Sequence, residues 1–488
     1  MVASTPVLMI VFAFAFIPLI FAEIARNRSI PTLEDFFVHS RRMPAFMLFF
    51  TVYATWMSAF AFLGASGYFY AMGPVYMTAF GWDVLFGLLF MMIGKRVWHY
   101  GKSNHYITPT DFFDDIYHFK PLNLMVTVIM ILFTIPYLQI QLSGGAYIIE
   151  IASNGLIPWR MSGLIFYLII IIYLWAGGLR AVAMTDIFYG LCLFLSMLFI
   201  GFFLINKAGG VETVFRTIAE ADVRNVTLPG PKGNAGPLLW LAMFITVPIG
   251  ALMGPPMWLR FYSADKKKHF DLIPLLICIT AIQCIGTLFA GSAGIVTAPG
   301  IQKTDSIIPV MLWEHGDVVL SAVLFCGVAS AALSTANSQI HAVAAVYTMD
   351  IHKRYINISA SEKRLVSVGK WSVLIISALA YILLLNNPPM IIYTGTIGMS
   401  GTAQIFVPVV GALFWNRSNG RAAACGVSAG ILTLTGIALS TELNISYCAV
   451  IALLVNAAVF IAGSMVFEAD MQTREKIVRY RENYDRDI

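Results

Sequence analysis

A chain of 488 residues that is 59% hydrophobic and 12% charged, with 35 Phe, 23 Met and a mean hydropathy of +0.78, has too little interior to hide its apolar side chains from water. The solvent it implies is a lipid bilayer, which excludes a secreted disulfide scaffold, a nucleic-acid binder and a cytosolic enzyme despite a formal net charge of +5. Cys192, Cys278, Cys284, Cys326, Cys425 and Cys448 lie in or beside apolar runs, form no CxxC pair and read as small buried hydrophobes.

A hydrocarbon core about 30 Å thick needs roughly 20 helical residues. Thirteen such runs follow one another, with expected boundaries 6–25, 46–72, 75–98, 122–150, 157–176, 181–206, 237–262, 270–298, 318–347, 366–386, 389–415, 421–440 and 446–467; they are numbered spans one to thirteen. The first lacks the basic n-region and cleavage site of a signal peptide and reads as a span. Basic loops resist translocation. With the N-terminus outside, only Arg160, Lys207, Arg216, Arg224, Lys232 and Lys303 of the 31 Lys and Arg fall outside, and the C-terminus is cytoplasmic. The inside loop Thr108 to His118 reads as a short amphipathic helix capped by Thr110 or Asp111, with Asp111, Asp114 and Asp115 as capping acids rather than a metal site. Residues 468–488 form a charged cytoplasmic tail.

Three places fit poorly into plain membrane helices. Span two carries Ala54-Thr55-Trp56-Met57-Ser58, then Gly64, Ser66 and Gly67; span seven carries Pro248, Gly250 and Met253-Gly254-Pro255-Pro256. Tandem proline removes backbone donors and clashes with the preceding turn. Interrupted backbone at membrane depth is tolerated only against protein, an ion or a water-filled cavity. The two spans open two sets of five, over about 46–206 and 237–415, and because five is odd the sets enter the membrane from opposite sides. Broken helices at corresponding positions of inverted repeats point to a transport site near the midplane. The transmembrane domain is expected over 1–467, with extra spans at 6–25, 421–440 and 446–467.

The third place is span nine, where Ala331, Ser334 and Thr335 stand at i, i+3 and i+4 on one face. Two hydroxyls and an uncovered carbonyl form part of a hard-cation shell; close helix packing with back-bonded hydroxyls is the alternative. Asp186, just inside the cytoplasmic end of span six, reads either as a cation relay or exit gate or as the partner of nearby Arg180. Asp83 and Glu150 fall near outer span ends with access to water and are expected to be structural, and His341 reads as a core histidine.

Together these residues resemble the sodium:solute symporter family, which shares the five-plus-five inverted-repeat fold of the leucine transporter. Gly177-Gly178-Leu179-Arg180-Ala181-Val182-Ala183-Met184-Thr185-Asp186 is similar to the family signature at the start of its fifth core helix, and Ala331 to Asp350, ending Tyr347-Thr348-Met349-Asp350, to its eighth. The resemblance covers nearly the whole chain. It implies an all-α integral membrane protein of about thirteen transmembrane helices, with broken first and sixth core helices. It also implies Na+ held by Ala331, Ser334 and Thr335 with the backbone carbonyls of Ala54 and Met57, and Asp186 on the intracellular ion path. Substrate would lie beside the broken helices, with Trp56, Ser58, Phe60, Gln141, Met253, Pro255 and Thr396 as candidates.

Departures bear on the substrate. Trp56 stands where proline-transporting members have an aspartate, so that carboxylate is absent or moved, and Phe60-Ala61-Phe62 replaces the polar side chains of sugar members, which disfavours a hexose. Pro136 to Leu142 and Pro388 to Ile392 resemble the monocarboxylate and pantothenate branches. The expected activity is sodium-coupled import of a small carboxylate by alternating access, with no covalent chemistry. A proline-like amino acid is the alternative substrate, and a membrane solute sensor the rival class. Expected partners are the small molecule, sodium and the lipid bilayer of the plasma membrane, crossed many times, with no nucleic acid and no obligatory protein partner.

Overall fold

A bilayer offers no hydrogen bonds to the backbone, so an open chain crosses it as helices whose N–H and C=O groups pair internally. The computed structural model describes residues 4–27, 30, 32–73, 77–233, 236–386, 388–468 and 471–486, with the side chains at 4, 15, 22, 26, 173–177 and 485–486 outside the description. Arg28 and the side chains of Arg26 and Arg486 fall outside what is described, and of Gly177 in the family signature only the helical backbone is described. Among the described residues nine helices are long and apolar enough to cross a membrane, or eleven with two bent pairs counted as one span each. The two other expected spans are the continuous succession Ala79–Leu89, Phe90–Gly94 and Lys95–Asn104, and the shorter apolar helix Trp159–Ile172. Gly178 separates spans five and six at φ 59° and ψ −161°, and a Cβ there would stand 2.8 Å from the Phe36 carbonyl oxygen, so the residue must be glycine.

Outward faces are apolar at helical spacing. Leu124, Val128 and Leu132 on span four and Leu191, Leu195, Phe199 and Phe202 on span six are exposed, a pattern that water penalises and a membrane accepts. Inside, span two packs on span six as span seven packs on span eleven, which is what an inverted repeat requires. Small residues let backbones touch. A Cβ on Gly201 of span six would lie 2.2 Å from the Gly286 carbonyl oxygen of span eight, and one on Gly286 would lie 2.0 Å from that of Met197.

The face carrying the basic loops is closed by local structure. Met43 N donates to the Ser263 carbonyl (2.9 Å) and Asp265 N to that of Met43 (3.1 Å), tying the start of span two to the end of span seven. The loop helix is Pro109–Tyr117 and its N-cap is Thr108, not Thr110 or Asp111. Proline fits the first helical turn, and Asp111 one turn on accepts from Ile107 N (2.8 Å) and Thr108 N (2.9 Å), completing a capping box. Arg354 then pairs with Asp111 at 2.9 Å.

The charged tail is a helix, Met471–Arg486, laid across this face. Lys476 bonds Asp115, while Tyr480 stacks on Tyr100 at 4.5 Å and donates to Asp115 at 2.6 Å. Burial pushes the Asp115 carboxyl up, but Lys476, Tyr106 and Tyr480 outweigh it and hold the group below the usual carboxylate range. A carboxyl so lowered adds stability above its unfolded pKa that is lost as pH falls through the folded one, so the tail docks at neutral pH and loosens in acid.

The glycine crossing is testable. Gly286→Ala should destabilise the fold by about 1–3 kcal/mol through overpacking, read as a lower thermal midpoint in detergent. Gly436→Ala, with nothing within 4 Å of the new Cβ, should leave the midpoint unchanged or raise it.

Candidate functional site

Span two breaks after Trp56. Its halves Ala45–Trp56 and Phe60–Met72 are bent by 51°, and the halves of span seven, Pro237–Met253 and Pro255–Ser263, by 57°. A helix end leaves its last carbonyls without intrahelical donors, and in an apolar surrounding each needs a partner. Span nine supplies them: Thr335 Oγ1 donates to the Ala54 carbonyl at 3.1 Å and reaches that of Thr55 at 3.4 Å, while Ser334 Oγ lies 2.9 Å from the Ala54 carbonyl oxygen and 2.8 Å from that of Ser330, one turn back on its own helix. Ser334 Oγ also lies 3.4 Å from the Ala331 carbonyl oxygen. Met57 is in extended backbone at φ −83° and ψ 99°, which takes it off the helical path beside this group. Ala54, Ala331, Ser334 and Thr335 thus meet as neutral hard oxygens, the donor type a sodium ion takes.

The substrate candidates divide. Ser58 and Gln141 serve the break: Gln141 Oε1 accepts from Ala59 N (3.1 Å), and Ser58 Oγ accepts from Phe60 N (3.1 Å) and lies 3.0 Å from the Tyr137 hydroxyl. Thr396 is bonded back to the Ile392 carbonyl at 2.6 Å, and Met253 and Pro255 are buried within span seven without lining a described cavity. Trp56 and Phe60 do line cavities. One lies between the breaks and takes its polar side-chain atoms from Thr55, Thr134, Tyr137, Gln339 and Thr402. A second shares Trp56 and Met399 with the first and contains Phe60 and Asp83. Gln339 and Tyr137 were accessible from helical spacing, one turn from Thr335 and Gln141 respectively.

Asp186 does not pair with Arg180, which instead reaches back to Asp35 at 2.7 Å. The cation beside Asp186 is Arg260, counted from sequence as a loop charge; both side chains are fully buried, 3.7 Å apart. Arg260 Nη2 donates to Ser338 Oγ (2.5 Å) and Thr51 Oγ1 (3.0 Å), and Thr51 Oγ1 donates to Asp186 at 2.6 Å. Pro256 and Arg260 are one turn apart on a half-helix packed under the first cavity, which is why this arginine points inward. Asp83 also departs from expectation: 1% exposed, it accepts the Trp56 indole N–H instead of meeting water. Glu150 accepts from Trp159 N at 3.2 Å, and His341 is buried against the rings of Phe36 and Phe37, as a core histidine.

Two inverted sets of five spans, each opening on a helix broken midway, define a secondary transporter. The sequence profile described as the Sodium:solute symporter family matches residues 36–430, and the chain belongs to that family. It is 26% identical to the sodium/pantothenate symporter of Haemophilus influenzae over 90% of each chain. To an osmoregulated proline transporter of Bacillus subtilis it is 25% identical, over 84% of this chain and 85% of the relative. A Na+-coupled sialic acid symporter, solved in a substrate-bound outward-open state, superposes with a TM-score of 0.83 at 19% identity, covering 96% of this chain and 99% of that one. The protein is a sodium-coupled symporter of a small organic solute, with Na+ as the co-transported ion.

Two outcomes test the site. Replacing Ser334 and Thr335 together by Ala should raise the sodium concentration for half-maximal uptake about tenfold or more; unchanged sodium dependence would remove these hydroxyls from the ion site. Asp186→Asn or Arg260→Gln alone should destabilise the fold by about 3–5 kcal/mol, and the double variant by clearly less, because only the single changes strand a buried charge. Additive losses in thermal unfolding would refute the pairing.

Proposed function

We propose that the solute is a small carboxylate, carried inward across the plasma membrane with the basic face cytoplasmic. The observation that carries this reading is the setting of the first cavity. The half-helix Pro255–Ser263 starts at it through Gly254, Pro256 and Met257, so the positive end of that helix faces the solute, and no acidic side chain lines the walls. The remaining lining is largely apolar with a few hydroxyl and amide groups, which suits a short organic anion better than a hexose. The pantothenate symporters of Haemophilus influenzae and Escherichia coli, each 26% identical, support the same class. A zwitterionic amino acid is the second reading, favoured by the proline transporter relative, but it needs an anion for its ammonium group that this cavity lacks.

Residues 1–467 act as one transport domain, the tail helix as its cytoplasmic appendage, and the solute crosses with no bond made or broken. Sodium at Ala54, Met57, Ala331, Ser334 and Thr335 would hold span two against span nine and shape the cavity, so that ion and solute tighten each other reciprocally. Asp186, next to that group on the basic side, would receive the ion on its way out.

The test is the thermal midpoint of purified protein with pantothenate, lactate, pyruvate, proline or glucose, each in sodium and in choline. A rise for one of the carboxylates seen only in sodium is expected. A rise for proline alone would replace the carboxylate by an amino acid, and shifts of equal size in choline would refute sodium-coupled binding.

A further inference from the structure

Each membrane-depth carboxylate in a transporter needs a counter-charge, a hydrogen-bonded shell or a proton, because an isolated charge out of water is strongly disfavoured. Asp186 has Arg260. Asp83 has no such partner. It sits in the second helical turn of span three, 1% exposed, with one oxygen accepting the Trp56 indole N–H and the other, Oδ2, buried without a hydrogen bond. No Lys, Arg or His among the described residues pairs with it. The ionisable groups that face it are Tyr53 of span two, itself bonded to Gln283, and Cys278 and Cys284 of span eight. Span seven, packed on its other side, carries no charged residue over Pro237–Met253. Lys95 and Asp271 pair with each other at 2.6 Å three turns away on the basic side, beside His269.

The surroundings decide which cation suits the vacant oxygen. A metal ion needs several converging oxygens. The Asp83 cavity is walled by Trp56, Met57, Phe60, Trp82, Cys284 and Met399 with small alanines, and contributes no hydroxyl or side-chain amide oxygen. A proton needs one oxygen. We propose that Asp83 is a proton-binding site, separate from the sodium site, that acts through Trp56 on the break in span two, so that a proton is carried together with sodium. Trp56 is the last residue of the first half-helix, stacked on Phe86 at 4.4 Å, bonded to Asp83 and shared by both cavities. A neutral Asp83 lets the apolar wall close over it and fixes Trp56. That orders the adjoining carbonyls at Ala54 and Met57, so protonation should favour sodium binding.

Energetics give the proton a use, and this step rests on the carboxylate reading. One sodium moving with a monoanion carries no net charge, so a tenfold sodium gradient supports only about tenfold accumulation. Adding a proton makes the cycle electrogenic, and 100 mV then contributes about 2.3 kcal/mol more.

The test needs no solute, so it stands or falls apart from the substrate. Infrared difference spectra of the full chain in nanodiscs, recorded with sodium as pH is lowered, should show a protonated-carboxyl C=O band that Asp83→Asn abolishes and Asp83→Glu displaces. Sodium titrations followed by thermal midpoint should give at least about fivefold tighter half-saturation in acid than in alkali for the wild type, and no pH dependence for Asp83→Asn. The Glu variant, which keeps the carboxyl, covers the case in which Asn fails to fold. A missing band, a band fixed at every pH, its suppression by sodium, or an equal pH effect in the Asn variant would each overturn the proposal.

Discussion

The structure depends on one constraint: carbonyls freed where span two stops being a helix must be answered in a place without water. Ala54 and Thr55 offer those oxygens, and the hydroxyls of Ser334 and Thr335 answer them. Hydroxyls fit this task because they donate a hydrogen to a carbonyl and still keep lone pairs for a cation. An ion entering the group therefore turns O–H bonds and does not need to rebuild the backbone. Span nine can come close enough because its neighbouring positions, Ala331, Ala332 and Ala336, are small and buried. On the repeat-related break Thr402 of span eleven donates to the Gly250 carbonyl at 2.8 Å, adding to the bond that this carbonyl accepts from Gly254 N at 3.1 Å.

The buried acids show how chemistry is divided around that frame. Asp186 shares Thr51 with Arg260, so its negative charge is answered by a cation on the same chain. Asp305 accepts from Ile391 N at 2.8 Å and caps the start of span eleven. Asp350 accepts from Thr108 Oγ1 at 2.7 Å and ties span nine to the loop helix. Only with Asp83, among these four, is the partner an indole on the broken helix, so its charge state bears directly on the backbone that offers carbonyls to sodium.

Much of this was legible in sequence because breaks and periodicity are local. Pro255-Pro256, the small residues of span two and the i, i+3, i+4 hydroxyl face of span nine each announce themselves within one helix. Partners distant in sequence do not. Arg260 lies at the end of an apolar run, where loop-charge counting cannot separate a solvated arginine from one turned inward beneath a cavity. Asp83 looked solvated for the same reason, and it is a tryptophan from another span that seals it. Arg180, one of the two readings open for Asp186 six residues along its own helix, follows the positive-φ kink at Gly178 and meets Asp35 instead. The tail looked like a solvated charge run because its apolar side is made of tyrosines that find Tyr100, His99 and Asp115 only in three dimensions.

Both ends of the pathway are tied shut by comparable means. On the basic side Met43, Ser263 and Asp265 exchange two backbone bonds, and Trp98 Nε1 adds one to the Ala264 carbonyl at 2.8 Å. On the other side, Asp305 holds Ile391, while Tyr70 of span two donates to the Ala298 carbonyl (2.9 Å) and accepts from Ile301 N (3.0 Å). Backbone contact at Gly67, where a Cβ would stand 2.9 Å from Asp305, completes that closure. At about 1 kcal/mol net per hydrogen bond, each tie amounts to a few kcal/mol. That is the size of the driving force in a tenfold sodium gradient with a membrane potential, about 3.7 kcal/mol at 100 mV. Ties much stronger would freeze one state, and much weaker ones would let both faces open together and leak. The differential affinity of the ion and its solute for the two arrangements then chooses which face opens.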